Sequence, residues 1–294
     1  MLVDAHCHVG DVLTDDVSRC LMTTGPDDLE KALAQPHGVY GFGVHPWFSH
    51  LFYCGDPVGK HEHYRRVLEA PSGYEETEEY ALLVERLPEP RSLERYVEQF
   101  AENANRFGVI GEVGLDKLFR VRIPEGSGSG GYALSRCRVA MDHQVAVLRR
   151  QLDLAVEYGK SVSLHDVKTH GLILDHVSEK LGGHENVNIC LHSYTGKSNL
   201  FGLWLKRFSP RRVFVSLSYY INMSEKNIEE TRRILDRLPR HCILTETDYV
   251  VTDKPELNEH LLKVYSLLQS EWNCSAEECE DIVYENYKKF LHSG

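Results

Sequence analysis

Val109-Ile110-Gly111-Glu112-Val113-Gly114 lies near the middle of the chain, an apolar, β-branched run of strand length that carries one carboxylate. Before it, Ser92 to Phe107 has helical periodicity. After it, a helical stretch from Ser135 to Tyr158 leads to a second short apolar run, Ser161 to His165. Strands separated by helices of this length pair in parallel through right-handed crossovers. The alternation continues outward in both directions. Further strands are expected at Leu2 to His6, Leu21 to Thr24, Val39 to Val44, Val187 to His192, Val213 to Leu217 and Ile243 to Thr247. Further helices are expected at Asp27 to Ala34, Leu172 to Leu181, Ser198 to Phe208, Ser224 to Leu238 and Glu256 to Glu271. A last helix starts at Ser275, where Ser-Ala-Glu-Glu forms a capping box with Glu278 reaching back, and runs to about Leu291. Eight strand–helix units favour an α/β fold of the (β/α)8 TIM-barrel type over an open doubly wound sheet, with residues 1–294 forming one barrel.

Two stretches break the rhythm and are read as insertions after strands 3 and 4. Residues 48–91 mix prolines with charged and aromatic residues, and Tyr80 to Leu87 in them has helical character. Residues 117–132 end in Gly126-Ser127-Gly128-Ser129-Gly130-Gly131, a composition that stays flexible. Both follow strand C-termini, the face on which barrel active sites are built. His61-Glu62-His63 has no third ligand nearby in sequence and reads as part of a solvated loop.

The 294 residues are 42% hydrophobic and 26% charged, the balance of a chain able to bury a large core. A net charge of −11 makes this chain a poor candidate for gripping nucleic acid through a wide basic face, so any cations for a phosphate substrate must be local or come from metal. With no apolar run near ~20 residues and no charged-then-apolar leader, an intracellular protein is expected, cytoplasmic and/or nuclear, without membrane contact. The eight cysteines form no C-x-x-C pair and read as buried free thiols.

Sixteen histidines are the unusual count. In Asp4-Ala5-His6-Cys7-His8 the two-residue period of a strand puts both imidazoles on one side and Cys7 on the other. Glu112, His165, His192 and Asp248 likewise stand at or near the ends of apolar strands, where an unpaired polar group is costly to desolvate. In a barrel these ends converge on one cup. Four imidazoles and two carboxylates there can hold two divalent ions, with Zn or Mn suiting the mixed nitrogen and oxygen set better than Mg.

These motifs carry a resemblance. Asp4-Ala5-His6-Cys7-His8, Gly43-Val44-His45-Pro46, Ile110 to Asp116, Leu191 to Gly196, Thr245-Glu246-Thr247-Asp248 and Glu285-Asn286 with Phe290 are together similar to the TatD-related, metal-dependent deoxyribonuclease family of amidohydrolase-like barrels, in a divergent branch of eukaryotic type. The resemblance implies a phosphodiesterase acting on DNA, single-stranded or at 3′ ends, often as a 3′ exonuclease. It implies Glu112 bridging two metals, His6, His8 and Asp248 on one, and His165 and His192 on the other. One departure matters: where the family usually has His-x-Arg after the fifth strand, this chain reads His165-Asp166-Val167-Lys168.

From this, two ions are expected to activate a water for in-line attack on a phosphodiester, with Asp248 as general base beside Glu112. His45 and Lys168 are the candidate substrate-binding residues. Lys117, Arg120 and Arg122 either supply additional phosphate contacts or, on the preferred reading, form a solvated charge cluster, and Trp47, Phe48 and Phe52 either stack on bases or pack the insertion onto the barrel. The alternatives are a hydrolase of a small phosphate or carbonyl ester, and an interaction protein whose insertions bind a protein partner on a retained metal-binding barrel.

Overall fold

The computed structural model describes residues 1–13, 16–35, 38–124 and 131–292, so Gly126 to Gly130 of the glycine–serine run lie outside the described residues. Eight strands pair in parallel, each with the next: β1 (Leu2–His8), β2 (Val17–Met22), β3 (Val39–Phe42), β4 (Phe107–Asp116), β5 (Ser161–Val167), β6 (Ile189–Leu191), β7 (Val213–Leu217) and β8 (Ile243–Thr245). The barrel is closed between β8 and β1 by shorter means. The amide of Asp248 donates to the carbonyl of His6 at 3.0 Å, that of His8 donates to Tyr249 at 2.8 Å, and Thr247 donates through its amide and hydroxyl to the two carboxylate oxygens of Asp4, each at 2.8 Å. The (β/α)8 expectation holds.

Helices cover the outside: α1 (Pro26–Ala34), α2 (Leu93–Glu102), α3 (Met141–Tyr158), α4 (His170–Leu181), α5 (Ser198–Arg207), α6 (Ile228–Arg237), α7 (Glu256–Trp272) and α8 (Ala276–Leu291). Ser275 caps α8 by accepting from the amide of Glu278 at 3.1 Å. No helix stands between β1 and β2 among the described residues, and α8 packs against β1 and β8 on that side. Asn286 on α8 donates to the carbonyls of Arg240 and Ile243 at 2.7 and 2.8 Å. Inside the barrel wall, Phe42 of β3 meets Tyr96, Phe100 and Phe107, all essentially buried. Each such ring removed from water contributes roughly 2–3 kcal/mol.

Two boundaries differ from the sequence expectation for physical reasons. The second strand is Val17–Met22, not Leu21 to Thr24, because Val17, Ser18 and Arg19 pair in parallel with Leu2, Val3 and Asp4 of β1, and Arg19 donates to Asn258 of α7 at 3.0 Å. The helix expected from Ser135 begins only at Met141, because Arg138–Val139 pairs antiparallel with Leu68–Glu69 of the other insertion.

That ribbon joins the two insertions. The segment after β3 holds a 3-10 turn (Pro46–Leu51) and helices Lys60–Val67 and Glu78–Arg86, and the segment after β4 forms an antiparallel hairpin of Arg122–Pro124 with Tyr132–Leu134. Tyr64, Leu83 and Val84 from the first and Val121, Ile123 and Cys137 from the second are buried together in a core separate from that of the barrel. His61-Glu62-His63 is therefore not a loop. It opens the helix Lys60–Val67 with His63 buried and its Nε2 2.8 Å from the carbonyl of His50, while Glu62 pairs with Arg65 and Arg66 outside.

Candidate metal centre

Glu112 is the hub of the cup. It lies on β4 where the strands pack backbone to backbone: a Cβ added at Gly43 would stand 2.4 Å from the carbonyl oxygen of Glu112, and one at Gly114 2.0 Å from that of His165. Only glycine permits this approach. Two glutamines of α3 fix the neighbouring strand ends, being seven residues apart and so on one helix face. Gln151 accepts from the amide of Val44 at 2.6 Å and donates to its carbonyl at 3.2 Å, and Gln144 does the same for Asp116 at 2.8 and 3.0 Å.

The two oxygens of the Glu112 carboxylate face different groups. Oε2 lies 3.4 Å from His6 Nε2 and 3.7 Å from His8 Nε2, and Asp248 Oδ1 lies 3.4 Å from that same His8 nitrogen. Oε1 lies 2.7 Å from His192 Nε2, 2.8 Å from His165 Nδ1 and 3.2 Å from His45 Nε2. All six residues expected as ligands are thus in one place, and their donor atoms fall into three tight groups: His6 with His8 and Asp248, His6 with Glu112 and His192, and His45 with Glu112 and His165. His45, expected to bind substrate, stands among the candidate ligands.

Further groups hold the imidazoles in place. Ser163 Oγ is 2.8 Å from His6 Nδ1, and Glu246, completely buried and bonded by Ser193, lies 3.6 Å from His192 Nδ1. Asp116 Oδ2 is 3.4 Å from His165 Nε2 and accepts from the Trp47 indole at 2.6 Å. The orienting role of Asp116 was missed in the sequence, although Glu112, Gly114 and Asp116 stand at strand spacing, two residues apart, and so could have marked it.

Electrostatics follow this packing. Burial opposes ionising Glu112, yet the surrounding His45, His192 and His6 outweigh it and hold its carboxyl well below the usual range. Burial also works against charging His165 and His192, but the carboxylates beside them win, raising His165 to about 9 and His192 well above its ordinary value. Burial holds His6 down and lowers His45 to about 4. Asp116 falls to about 2, its hydrogen bonds from His165 and Trp47 overcoming burial. Even with Glu112, Asp248, Asp116 and Glu246 beside the five imidazoles, buried His6 Nε2 has no hydrogen-bond partner among the described residues. That donor set fits divalent cations.

The cup opens into a cavity of about 410 Å³ whose wall includes His8, Thr24, Lys31, Trp47, Phe48 and Arg122. Trp47 stacks on Phe119 at 4.6 Å, whereas Phe52 is wholly buried against Tyr96 and cannot meet a ligand. Arg122 is not a solvated charge. Its guanidinium lies 4.0 Å from the Tyr132 ring centre and 5.5 Å from that of Trp47, and its buried Nε has no hydrogen-bond partner among the described residues. Lys168 does not line this cavity. It follows β5 in a left-handed conformation, with φ of 60°, and is exposed along a neighbouring groove.

The model of the TatD related DNase family matches residues 3–292. A Saccharomyces cerevisiae protein named an uncharacterized deoxyribonuclease is 41% identical over 99% of both chains. The Cut9-interacting protein scn1 of Schizosaccharomyces pombe is 27% identical over 99% of this chain and 98% of its own. Among solved structures, the TatD homologue YjjV of Escherichia coli superposes with a TM-score of 0.63 at 17% identity, covering 98% of this chain and 97% of its own, which shows the fold. A TatD-family hydrolase of Entamoeba histolytica follows at 0.57 and 14%, covering 92% and 83%.

Proposed function

The chain belongs to the TatD-related DNase family, and from that premise we propose that it is a metal-dependent phosphodiesterase that shortens DNA from 3′ ends using two divalent ions. The observation that carries this reading is the position of Glu112, whose two oxygens each face a separate set of imidazoles. His6, His8 and Asp248 with Oε2 would hold one ion, and His165 and His192 with Oε1 the other, with His45 beside it. Such ions, when bound, neutralise charge on phosphoryl oxygens and make water easier to deprotonate. Asp248 is the proton acceptor in this scheme. Its side chain keeps 24% of its exposure at the mouth of the cup while its Oδ1 contacts His8, so it reaches both a ligand and arriving water. Arg122, flanked by three rings and without a carboxylate partner among the described residues, binds a phosphate oxygen at the rim.

The test is degradation of an end-labelled single-stranded oligonucleotide with Mg²⁺ or Mn²⁺ by wild type and Glu112→Gln. Stepwise shortening by wild type alone, beginning at the 3′ end, is expected. Metal binding without shortening would overturn the reading and direct the search to small phosphate or carbonyl esters. A second reading, a protein partner held by the joined insertions, draws support from the name of the Schizosaccharomyces pombe relative and is tested by pull-down with the Glu112→Gln protein.

A further inference from the structure

Beside the cup lies a groove of about 840 Å³, twice the volume of the cavity over Glu112. Its wall carries three cations, Lys117, Arg138 and Lys168, all exposed. The same wall includes Leu118 and Leu172, which are 54% and 39% exposed, and the N-terminal turn of α4 at Thr169 and His170. One acidic residue, Glu69, lines it. Asp166 stands close by, but its carboxylate is committed to Thr169 and His170 at 2.8 and 2.6 Å.

The local charge balance is the reverse of that of the chain. Acidic residues outnumber basic ones by 44 to 33 overall, whereas three cations and one carboxylate line the groove. Among the described residues, Lys117, Arg138 and Lys168 have no carboxylate within ion-pair distance. Three unpaired cations in one groove of an acidic protein form a local positive field that an anion would complete. The groove also abuts the cup through two strand ends, since Lys117 follows Asp116 on β4 and Lys168 stands three residues after His165 on β5.

We propose that this groove is a second binding site for single-stranded nucleic acid, holding the phosphates of the strand that leads away from the scissile bond while its bases rest on Leu118 and Leu172. The site rests on the reading of the cup as a phosphodiesterase centre. It explains how a chain of net charge −11 grips a polyanion without a basic face: the positive surface is confined to where the strand lies. Arg138 and Lys117 come from the segment after β4, and Lys168 from the barrel itself, so the groove requires the insertion to be folded against β5.

The test compares the wild-type protein with Lys117→Gln/Arg138→Gln/Lys168→Gln, and includes Arg138→Lys as a charge-preserving control. All three positions are exposed, and thermal melting verifies that the variant is folded. Binding of a fluorescent 15-nucleotide strand is measured against salt in the Glu112→Gln background, so that no cleavage occurs. Each lost phosphate contact removes about 0.7 from the slope of log affinity against log salt, so the triple variant is expected to lose about two. In the active background, the ratio of kcat/KM for the long strand to that for a dinucleotide is expected to fall roughly tenfold, and Arg138→Lys alone to keep it. An unchanged slope and an unchanged ratio would overturn the groove. Tighter binding of an acidic peptide than of the strand would also overturn it, in favour of a protein partner. Failure of wild type to cleave either substrate would overturn the phosphodiesterase reading alone, and a lost salt slope would then still support the groove as a strand-binding site.

Discussion

The cup and the rim around it are built in opposite ways. The cup comes from the barrel, with buried side chains fixed through glycine contacts and α3 glutamines, and every imidazole answers to Glu112. The rim comes largely from the two insertions, whose separate small core carries Arg122, Lys117 and Arg138 on its surface. A buried, mutually dependent set is intolerant of single changes, whereas exposed cations act almost independently. The difference assigns chemistry to the barrel and recognition to the insertions. Substitutions in the cup should therefore lower kcat and those on the rim should raise KM.

Glu112→Gln should have the largest effect, a fall of roughly 10³-fold in kcat, because it removes the charge shared by both sides of the cup. Steady-state kinetics on a labelled strand measures it, and a pure KM effect would erase the division drawn above. Arg122→Gln should reduce kcat/KM by about 30-fold, mainly through KM, as expected for one charge-assisted hydrogen bond to phosphate. Arg122→Lys should recover little of it, since the planar guanidinium is what stacks between Trp47 and Tyr132. If lysine restores full activity, the rings do not position the cation.

Asp116→Asn sharpens the boundary between the two regions. Its carboxylate touches both His165 of the cup and Trp47 of the rim, and its loss should weaken metal affinity about tenfold by titration with Mn²⁺. The smallest effect expected is on acid stability beneath the rim. His50 is buried, and burial, reinforced by nearby His143, depresses its pKa to about 3. The unfolded chain therefore binds a proton near pH 6.5 that the folded chain refuses. Stability from this group is complete above about 6.5 and is lost as pH falls toward about 3. His50→Phe should lower the acid-unfolding midpoint by about half a pH unit by circular dichroism. An unchanged midpoint would mean that other groups govern acid unfolding of the insertions.

Much of the barrel was readable in the chain because its signal is periodic and local: β-branched runs, helices of the right length, and a polar residue closing each strand. The same regularity exposed His6, His8, Glu112, His165, His192 and Asp248, since a ligand ending an apolar strand stands out against its neighbours. What escaped was set by contacts distant in sequence. Val17 to Cys20 contains polar residues and gained strand character from its parallel partners, and Arg138–Val139 became a strand only by meeting Leu68–Glu69. His63 looked solvated in a polar stretch until helix packing buried it beneath His50. Arg122 looked like one charge in a cluster, and only the fold of the hairpin sets it among three rings.

The way the barrel closes has a consequence for its order of events. Among the described residues the seam between β8 and β1 lacks a continuous ladder and passes beneath His6, His8 and Asp248, a candidate ligand group that joins the first strand to the segment just after the last. The Glu112, His165 and His192 side is carried by adjoining central strands and needs no closure to exist. An ion captured by the seam group would act as a rivet between the chain's two ends, so that occupancy there and resistance of the barrel to local opening rise and fall together.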